Sequence, residues 1–382
     1  MFLVVTRNFQ PDVGGMQSLM GGLSESLLKH GQVKVFADKF IDSEKYDNNS
    51  SLDIERIKGI KIFRKYRKAS LVNDFILKNP YIRAIFADHW KSLELLKTEL
   101  LAKTKTFCLL HSKEINHEIN SSSNKRSIKS TNKANFIIAN SNFTKKLAIN
   151  VGIDESKISV IFPGIHIPKN IDITFVNEAK KTYQESFPKI ITVSRLDKRK
   201  GHDKILMLIK NLKTKYPKIR YISIGFGDEE KNLLNLRKEL SLEKEVTFLK
   251  NINENFKRAL ISESDFFLMP TRKENKSVEG FGISFIEAAS YGVPSIGGSY
   301  GGASDAIYHN KTGLICDGSE LNSIHDAVSE ILKDKKFVTF GKAAKHFSEN
   351  FSQFFSRLNP EFSSFSSFSL SLEVSGRLFF EQ

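Results

Sequence analysis

Short apolar runs alternate with helical patterns along most of this chain. Phe2–Thr6 and Val33–Ala37 flank a helical pattern at 16–29, and the second half resumes the alternation at Lys189–Val193. Continuous apolar strands separated by helices are typical of parallel sheets that are buried on both faces. The alternation therefore predicts an α/β protein, and ligands are expected at the carboxyl ends of its strands.

The remaining predicted elements follow the same alternation. Further strands are predicted at Ile60–Phe63, Ala84–Ala87, Thr106–His111, Phe136–Ala139, Val160–Phe162, Arg220–Ile224, Val246–Leu249, Phe266–Met269 and Ser295–Gly297. Helices are predicted at 202–215, 229–240, 254–262, 284–291 and 320–333, and residues 120–134 are read as a loop or an exposed helix.

The length of 382 residues is enough for two hydrophobic cores. A charged segment between the halves places the predicted boundary near residue 170, which gives domains at 1–170 and 171–352. Residues 353–382 form a Ser/Phe-rich tail of low complexity that resembles neither half.

The net charge of +15 is uneven, because residues 1–170 carry 27 Lys and Arg against 16 Asp and Glu. This excess favours an acidic partner such as an anionic lipid surface, a phosphorylated acceptor or nucleic acid; a solvated lysine-rich surface is the alternative. No recognition helix or aromatic RNA-binding motif is present, so nucleic acid is disfavoured.

The chain reads as a cytoplasmic protein. No apolar run approaches the roughly 20 residues of a membrane span, and the sequence enters a strand without a secretory signal. Cys108 and Cys316 lack metal-ligand spacing and are predicted to be buried thiols. No His/Cys cluster or His-Glu-x-x-His motif occurs, so no metal site is expected.

Residues 279–287 carry the most specific chemistry. Glu279 and Glu287 flank a Gly-x-Gly turn that ends at Gly282, and a helix follows from Ile283. Free N–H groups and the positive end of the helix dipole suit a phosphate, while carboxylates beside such a site suit hydroxyls. The stretch thus indicates a nucleotide, a sugar, or both.

Four other strand-end segments carry polar or flexible groups. Arg195 and Lys200 follow a strand and can reach a diphosphate. Gly225 belongs to a Gly-x-Gly turn that fits a nucleotide wall, and Gly14-Gly15 permit close approach of a ligand to the backbone. His111 ends an apolar strand. Each glycine turn taken alone also fits a plain tight turn.

Taken in order, these motifs resemble the retaining nucleotide-sugar glycosyltransferases with the GT-B fold. The hallmark of that family is a pair of glutamates separated by seven residues, matched here by Glu279 and Glu287. The Arg195…Lys200 motif and Gly14-Gly15 match too, and His111 is similar to the first residue of a His-Gly-x-Glu motif in which Ser112 replaces the glycine. The match is greatest to bacterial enzymes that make phosphatidylinositol mannosides, over about residues 2–352.

The resemblance implies a role for each matched residue. Arg195 and Lys200 would neutralise the leaving diphosphate, helped by backbone amides near Gly282 and Ile283. Glu279 would contact hydroxyls of the donor sugar, and Glu287 would hold the ribose. The other residues implied in donor contact are Gly14, Gly15, His111, Gly225 and Phe281.

The resemblance also implies an architecture and a reaction. Two Rossmann-like domains would face an interdomain cleft, with the acceptor mainly on the first and the donor on the second. The reaction would be retaining transfer of a hexose to a lipid-linked, lipopolysaccharide or polysaccharide acceptor, without a metal or other cofactor. The cationic run Arg64–Lys68 suggests peripheral docking on the inner face of an anionic membrane. Two alternatives stay open: a small soluble acceptor, and a catalytically impaired homologue.

Overall fold

A computed structural model describes residues 1–12, 14–165 and 170–352. The described chain forms two compact units, which divide after Gly164; the second begins at Ile165 and extends to Ser352. Each unit is an α/β structure built on one parallel sheet, as predicted. The Ser/Phe-rich tail at 353–382 lies outside the described residues.

Unit 1 contains a seven-stranded parallel sheet in the order β3-β2-β1-β4-β5-β6-β7. Its strands are β1 (Phe2–Val5), β2 (Val33–Asp38), β3 (Asp53–Ile57), β4 (Ala84–Ala87), β5 (Lys105–Leu110), β6 (Phe136–Ala139) and β7 (Ile158–Val160). Its helices are α1 (Gly15–Leu28), α2 (Ser43–Asn48), α3 (Lys61–Lys78), α4 (Trp90–Leu93), α5 (Thr98–Leu101), α6 (Ser122–Thr131) and α7 (Asn142–Asn150).

Unit 2 contains a six-stranded parallel sheet in the order β10-β9-β8-β11-β12-β13. Its strands are β8 (Lys189–Val193), β9 (Arg220–Ile224), β10 (Val246–Leu249), β11 (Phe266–Met269), β12 (Ser295–Gly298) and β13 (Gly313–Cys316). Its helices are α8 (Ile173–Tyr183), α9 (His202–Leu212), α10 (Glu230–Glu239), α11 (Glu254–Ser262), α12 (Ile283–Ser290), α13 (Ala303–Ala306), α14 (Leu321–Leu332) and α15 (Lys336–Ser352).

Both faces of the first sheet are buried, which explains the continuous apolar strands. Phe2 and Val4 of β1 belong to one hydrophobic cluster, whereas Leu3 and Val5 belong to the cluster on the opposite face. Successive side chains of a strand point to opposite faces, so a strand covered on both sides is apolar at every position. Helices therefore cover this sheet on both sides.

The predicted strand at Ile60–Phe63 is wrong. The third strand is β3, Asp53–Ile57, and residues 61–63 form the first turn of α3. Three of the five β3 residues are charged, so the strand has no apolar run by which the sequence would predict it. Charged residues are tolerated here because β3 is an edge strand. On the neighbouring strand, Lys34 pairs with Asp53 at 2.9 Å.

Several further elements were not predicted, among them the helices α3, α7 and α8, strand β13 and helix α15. Strand β13 closes one edge of the second sheet, and helix α15 packs on α12. Both cysteines are free and buried, as predicted. Among the described helices, none is both long and apolar enough to cross a membrane.

Candidate active site

The loops that follow β8 and β11 meet at the carboxyl edge of the second sheet. The Arg272 amide donates to the Arg199 carbonyl oxygen at 2.9 Å, and the Arg272 guanidinium binds both oxygens of Asp203 at 2.9 and 3.0 Å. A Cβ atom at Gly201 would lie 2.5 Å from the Pro270 carbonyl oxygen. Adjacent central strands therefore bring residues about 80 positions apart into one cluster.

Glu279 is the centre of that cluster. Its Oε2 atom accepts from Lys200 Nζ at 2.5 Å and also pairs with Arg199 Nη1. All three side chains are largely buried, and Lys200 additionally lies 3.5 Å from the Met269 sulfur. One carboxylate thus balances two cations in a site with little access to water.

The charges in this cluster stabilise one another. Burial opposes ionisation of Glu279, but Lys200 and Arg199 favour the carboxylate and hold its pKa at about 2. Burial lowers the pKa of Lys200 despite the attraction of Glu279. Burial also opposes the charge of Arg199, yet Glu279 and Asp197 raise its pKa. Glu279 is consequently a permanent acceptor near neutral pH and a poor proton donor.

Helix α12 begins beside this cluster. Its N-cap is Gly282, with φ +92°, a left-handed conformation that favours glycine, and Ile283 is the first helical residue. A parallel bridge joins Glu279 to Gly301, and the Gly302 amide donates to the Glu279 carbonyl oxygen at 2.9 Å. The predicted amide site therefore lies in the segment that carries Glu279.

Phe281 is buried, with 2% of its surface exposed. Its ring contacts Phe351 of α15, at 5.8 Å between centroids. The side chain of this residue, predicted to contact the donor, is therefore part of the packing beneath the turn.

Arg195 and Gly225 lie on neighbouring strand ends. Arg195 is exposed, in the loop after β8. Gly225 follows β9, and a Cβ atom there would collide with the Ser194 carbonyl oxygen; a Cβ at Gly227 would collide with that of Leu196. These glycines are required because the two loops touch, and the contact holds the Arg195 loop in place.

A buried histidine supports the same loop. The imidazole of His202 lies 3.0 Å from the Ser194 hydroxyl on one side and 3.0 Å from the Tyr221 hydroxyl on the other. Tyr221 in turn donates to Thr192 of β8 at 3.0 Å. Burial lowers the pKa of His202 to about 4, so the ring is neutral at pH 7. This neutral network joins α9, β8 and β9 beneath Arg195.

Glu287 lies on α12 but outside the Glu279 cluster. Its carboxylate pairs with Lys257 of α11 at 2.8 Å, and Lys257 also pairs with Glu254 at 2.9 Å. Burial opposes the charge of Lys257, but Glu287 and Glu254 raise its pKa. Glu279 and Glu287 therefore have different partners: Glu279 pairs with Lys200 and Arg199, whereas Glu287 pairs with Lys257.

In unit 1, His111 lies at the carboxyl end of β5 beside the loop after β4. Its Nε2 atom lies 3.1 Å from the Asp88 carbonyl oxygen, and its backbone amide donates to Glu114 at 2.5 Å. A carbonyl only accepts, so Nε2 carries the proton. Burial raises the pKa of Glu114 above its usual value.

Asp88 fastens that end of the sheet. One of its carboxylate oxygens accepts from the Thr6 hydroxyl at 2.8 Å and the Arg7 amide at 2.9 Å, and the other accepts from Ser92 at 2.7 Å. The loop after β4, whose Asp88 carbonyl oxygen contacts His111, is therefore tied to the end of β1.

Gly14 and Gly15 follow β1 at the start of α1. The backbone of Gly14 is extended, with φ 162°, and a Cβ atom there would meet only the flexible end of Gln17. The fold of unit 1 thus does not require a glycine at this position, in contrast to Gly225.

Of the predicted site residues, the structure brings Lys200 and Glu279 into contact and places Gly282 and Ile283 shortly after Glu279 in the chain. The sequence analysis did not predict that Arg199 also pairs with Glu279. Arg199 stands in the same strand-end run as Lys200, and Asp88 directly follows an apolar strand, so strand-end position was the available signal. Among the described residues, no group of three His, Cys, Asp or Glu side chains is arranged to hold a metal.

Comparison with known proteins agrees with the fold and with the predicted family. A Glycosyltransferase Family 4 model matches residues 13–168, and the model of the Glycosyl transferases group 1 matches residues 175–353. A GDP-mannose-dependent alpha-(1-6)-phosphatidylinositol monomannoside mannosyltransferase of Mycobacterium tuberculosis is 26% identical over 364 residues, which cover 90% of this chain and 92% of that protein.

Two other similar proteins differ in what they act on or bind. An N-acetyl-alpha-D-glucosaminyl L-malate synthase of Bacillus anthracis is 30% identical over 166 residues, 42% of this chain and 41% of that protein. The crystal structure of HepE from Anabaena, in complex with UDP and glucose, has a TM-score of 0.76 at 16% identity and covers 95% of this chain and 100% of that one. The chain is therefore a glycosyltransferase of the GT-B fold, with a Family 4 domain followed by a group 1 domain.

Proposed function

We propose that this enzyme transfers a hexose, with retention of configuration, from a nucleoside-diphosphate sugar to a lipid-linked, lipopolysaccharide or polysaccharide acceptor of the bacterial envelope. The donor would bind the second unit, and the acceptor would bind mainly the first. The enzyme would act in the cytoplasm, peripherally at the inner face of the membrane.

The observation that supports this proposal is the Lys200–Glu279–Arg199 cluster beside the N-terminus of α12. A nucleoside diphosphate gathers negative charge as it leaves the sugar. Fixed cations and backbone N–H groups stabilise that charge without reorganisation. Arg195 would complete the set from the exposed loop above. No metal or other cofactor would then be needed, because side-chain cations take the role of a divalent ion.

Glu279 would act by binding and not by proton transfer. With a pKa of about 2 it stays ionised, so it accepts hydrogen bonds from sugar hydroxyls while it orients Lys200. Glu287 would hold the ribose, and His111 would contact the sugar near the reacting carbon. In both proposals the side chain must add a ligand contact to its present partners, Lys257 and the Asp88 carbonyl.

Relatives suggest the donor and acceptor classes. The mycobacterial relative uses GDP-mannose and acts on a phosphatidylinositol mannoside, and the HepE structure contains UDP and glucose. A panel of GDP- and UDP-sugars is therefore the first experiment, because a bound donor raises the melting temperature by mass action. Stabilisation by at least one donor, followed by transfer from it to a glycolipid acceptor, is expected. A chain that no donor stabilises and that forms no product would contradict the proposal.

The configuration of the product tests the mechanism separately. Proton NMR of the first product formed from an α-linked donor should show the α-anomer. A β-linked product would rule out retention and leave the donor site untouched.

A small soluble acceptor is the second candidate, and the malate-glycosylating relative from Bacillus anthracis favours it. Transfer to water-soluble hydroxy acids or sugar phosphates in the absence of lipid would support this reading. Donor-dependent stabilisation without any product would instead indicate a catalytically impaired homologue.

A further inference from the structure

The first turns of α3 and the loop after β2 expose an unusual set of large apolar side chains. Ile41 is 76% exposed and Ile62 is 73% exposed. We call the whole set the apolar tip; its members are Phe40, Ile41, Ile60, Ile62, Phe63 and Tyr66. Single exposed apolar residues are ordinary on protein surfaces, but six in two short segments are not.

The apolar tip continues the apolar face by which α3 packs against the core of unit 1, but at the tip this face is exposed. Ile62, Ala69 and Ile76 are seven residues apart and so lie on one side of α3. Ala69 and Ile76 are buried in unit 1, whereas no described residue covers Ile62. The start of α3 therefore extends past the sheet with its apolar side still present.

Arg64 joins the two segments into one surface. Its guanidinium donates to the Gly59 carbonyl oxygen at 3.0 Å and to that of Lys39 at 3.3 Å. The Lys39 amide donates to the Ile57 carbonyl oxygen at 3.1 Å, at the ends of β2 and β3. Phe40 and Ile41 are thereby held beside the residues that open α3.

Buried Lys68 gives this surface a rigid base. Its ammonium donates to the Thr6 carbonyl oxygen at 2.6 Å and pairs with Asp38 at 2.5 Å. Burial lowers the pKa of Lys68 despite Asp38. Lys68 thus fastens α3 to the strand ends, and it does not belong to the solvent-facing cationic run that the sequence suggested.

Cations surround the apolar tip. Residues 58–67 contain five Lys and Arg and no Asp or Glu. Lys58, Lys61 and Lys65 are exposed, and the Lys65 ammonium lies 4.9 Å from the centre of the Tyr66 ring. Acidic Asp42 and Glu44 lie on the other segment, where Glu44 is neutralised by Lys39 at 2.8 Å.

We propose that the apolar tip inserts into the surface of an anionic lipid membrane, while Lys58, Lys61 and Lys65 bind the lipid phosphates around it. Apolar side chains gain by leaving water for the acyl boundary, and lysine stems reach past them to the headgroups. The interleaving of cations with apolar groups fits a lipid surface, which offers both negative charge and hydrocarbon. The inference rests on the proposed function in one respect, the lipid-borne acceptor, since it names the surface by which the enzyme reaches it.

Vesicle cosedimentation of the full-length protein tests this directly. Wild type should bind phosphatidylcholine vesicles that contain phosphatidylglycerol, and bind pure phosphatidylcholine weakly. Ile62→Ser with Phe63→Ser should weaken binding at least about tenfold, because each buried side chain of this size contributes roughly that factor. Lys61→Gln with Lys65→Gln should weaken binding and reduce its dependence on salt.

Matched variants on unit 2 serve as controls. Ile173→Ser with Val338→Ser removes two other exposed apolar side chains, and Lys210→Gln with Lys244→Gln removes two other exposed cations. Both should bind vesicles as wild type does. Equal binding by wild type and the Ile62/Phe63 variant, or equal weakening by the unit 2 variants, would overturn the proposal.

A fluorescence experiment decides between a membrane and a protein occupant. An environment-sensitive dye on Phe63→Cys should shift to the blue only when anionic vesicles are added, and the same dye on Val338→Cys should not shift. A blue-shifted Phe63→Cys probe without vesicles would mean that residues 353–382 or a second copy cover the tip, and would overturn the proposal.

Failure of the membrane-insertion proposal can be distinguished from failure of the proposed function. The Ile62/Phe63 variant should keep the donor-dependent rise in melting temperature, and Glu279→Gln should still bind vesicles. Loss of vesicle binding in Glu279→Gln would show that docking depends on the donor site, against the proposal.

Discussion

Glu279 and Lys200 form a buried ion pair, with 2.5 Å between Oε2 and Nζ, and Arg199 shares the same oxygen. The carboxylate proposed to bind sugar hydroxyls therefore also positions the cation proposed to hold the leaving group. A change at either residue should therefore disturb contacts with both the sugar and the diphosphate of the donor.

Replacing the shared carboxylate should affect stability and catalysis together. Glu279→Gln leaves Lys200 buried without its counter-charge and leaves Arg199 with Asp197 alone, and removal of one partner from a buried pair costs about 3 kcal/mol or more. Urea unfolding should show this loss. Transfer should fall at least ~100-fold, the usual effect of losing a well-placed electrostatic contact.

Glu185→Gln is the matched control, because Glu185 pairs with Lys218 at 3.0 Å on an exposed surface. It should leave the urea midpoint and the transfer rate unchanged. An unchanged midpoint in Glu279→Gln would mean that the buried pair contributes nothing to stability.

Arg195 should behave differently from Glu279, because its side chain is exposed. Arg195→Ala should lower kcat at least ~100-fold while the melting temperature stays constant, since only the developing diphosphate charge loses a partner. Lys198→Ala removes another exposed cation from the same loop and should keep near-normal kcat. Similar losses in both variants would point to general charge and not to a specific contact.

His202 should make the protein less stable in mild acid. Its pKa is about 4 in the folded chain against an ordinary 6.5, so the unfolded chain takes up a proton first as pH falls. The stabilising effect of the neutral ring is complete above pH 6.5 and is lost progressively between 6.5 and 4, by up to ~3 kcal/mol.

Denaturant midpoints measured from pH 7 to pH 4 check this. His202→Gln should be less stable at pH 7, but its profile should be flatter than that of wild type. His346→Gln, which alters an exposed histidine, should follow the wild-type profile. Parallel profiles for wild type and His202→Gln would exclude His202 as the titrating group.

Glu287 should act on nucleotide affinity more than on chemistry. If its carboxylate holds the ribose, Glu287→Gln should weaken UDP or GDP binding about tenfold, as expected for a lost hydrogen bond to a charged group. Calorimetric titration measures this. Glu254→Gln is the control, because Glu254 also pairs with Lys257 but lies on α11. Equal weakening by Glu254→Gln would trace the effect to Lys257.

Most of the fold could be predicted from the sequence, because each buried strand is a short apolar run that ends in a polar or glycine segment. Strand β3 was not predicted because an edge strand can carry charged residues. Its Lys34–Asp53 pair joins residues that are 19 positions apart in the sequence. The predicted interdomain cleft, and the boundary near residue 170, stay predictions.

The site was less accessible to sequence reasoning. Strand-end position pointed to Lys200 and Glu279, but nothing local indicates that Arg199 would turn inward to the same oxygen. The pairing of Glu287 with Lys257 is likewise set by helix packing between α11 and α12. Sequence motifs therefore predicted which segments meet, whereas the partner of each charged side chain is set by the tertiary packing.

Each unit draws its hydrophobic clusters from one continuous stretch of chain. Among the described residues, two clusters of the first unit span residues 2–158, and a cluster of the second spans residues 190–332. Apart from Gly14, Gly15 and His111, every residue proposed to touch the donor lies in the second stretch. If the second unit sets donor choice, as proposed, a single recombination event near the junction would exchange that choice as one inherited module. New pairings of sugar and acceptor would then arise in such a lineage without stepwise change at either site.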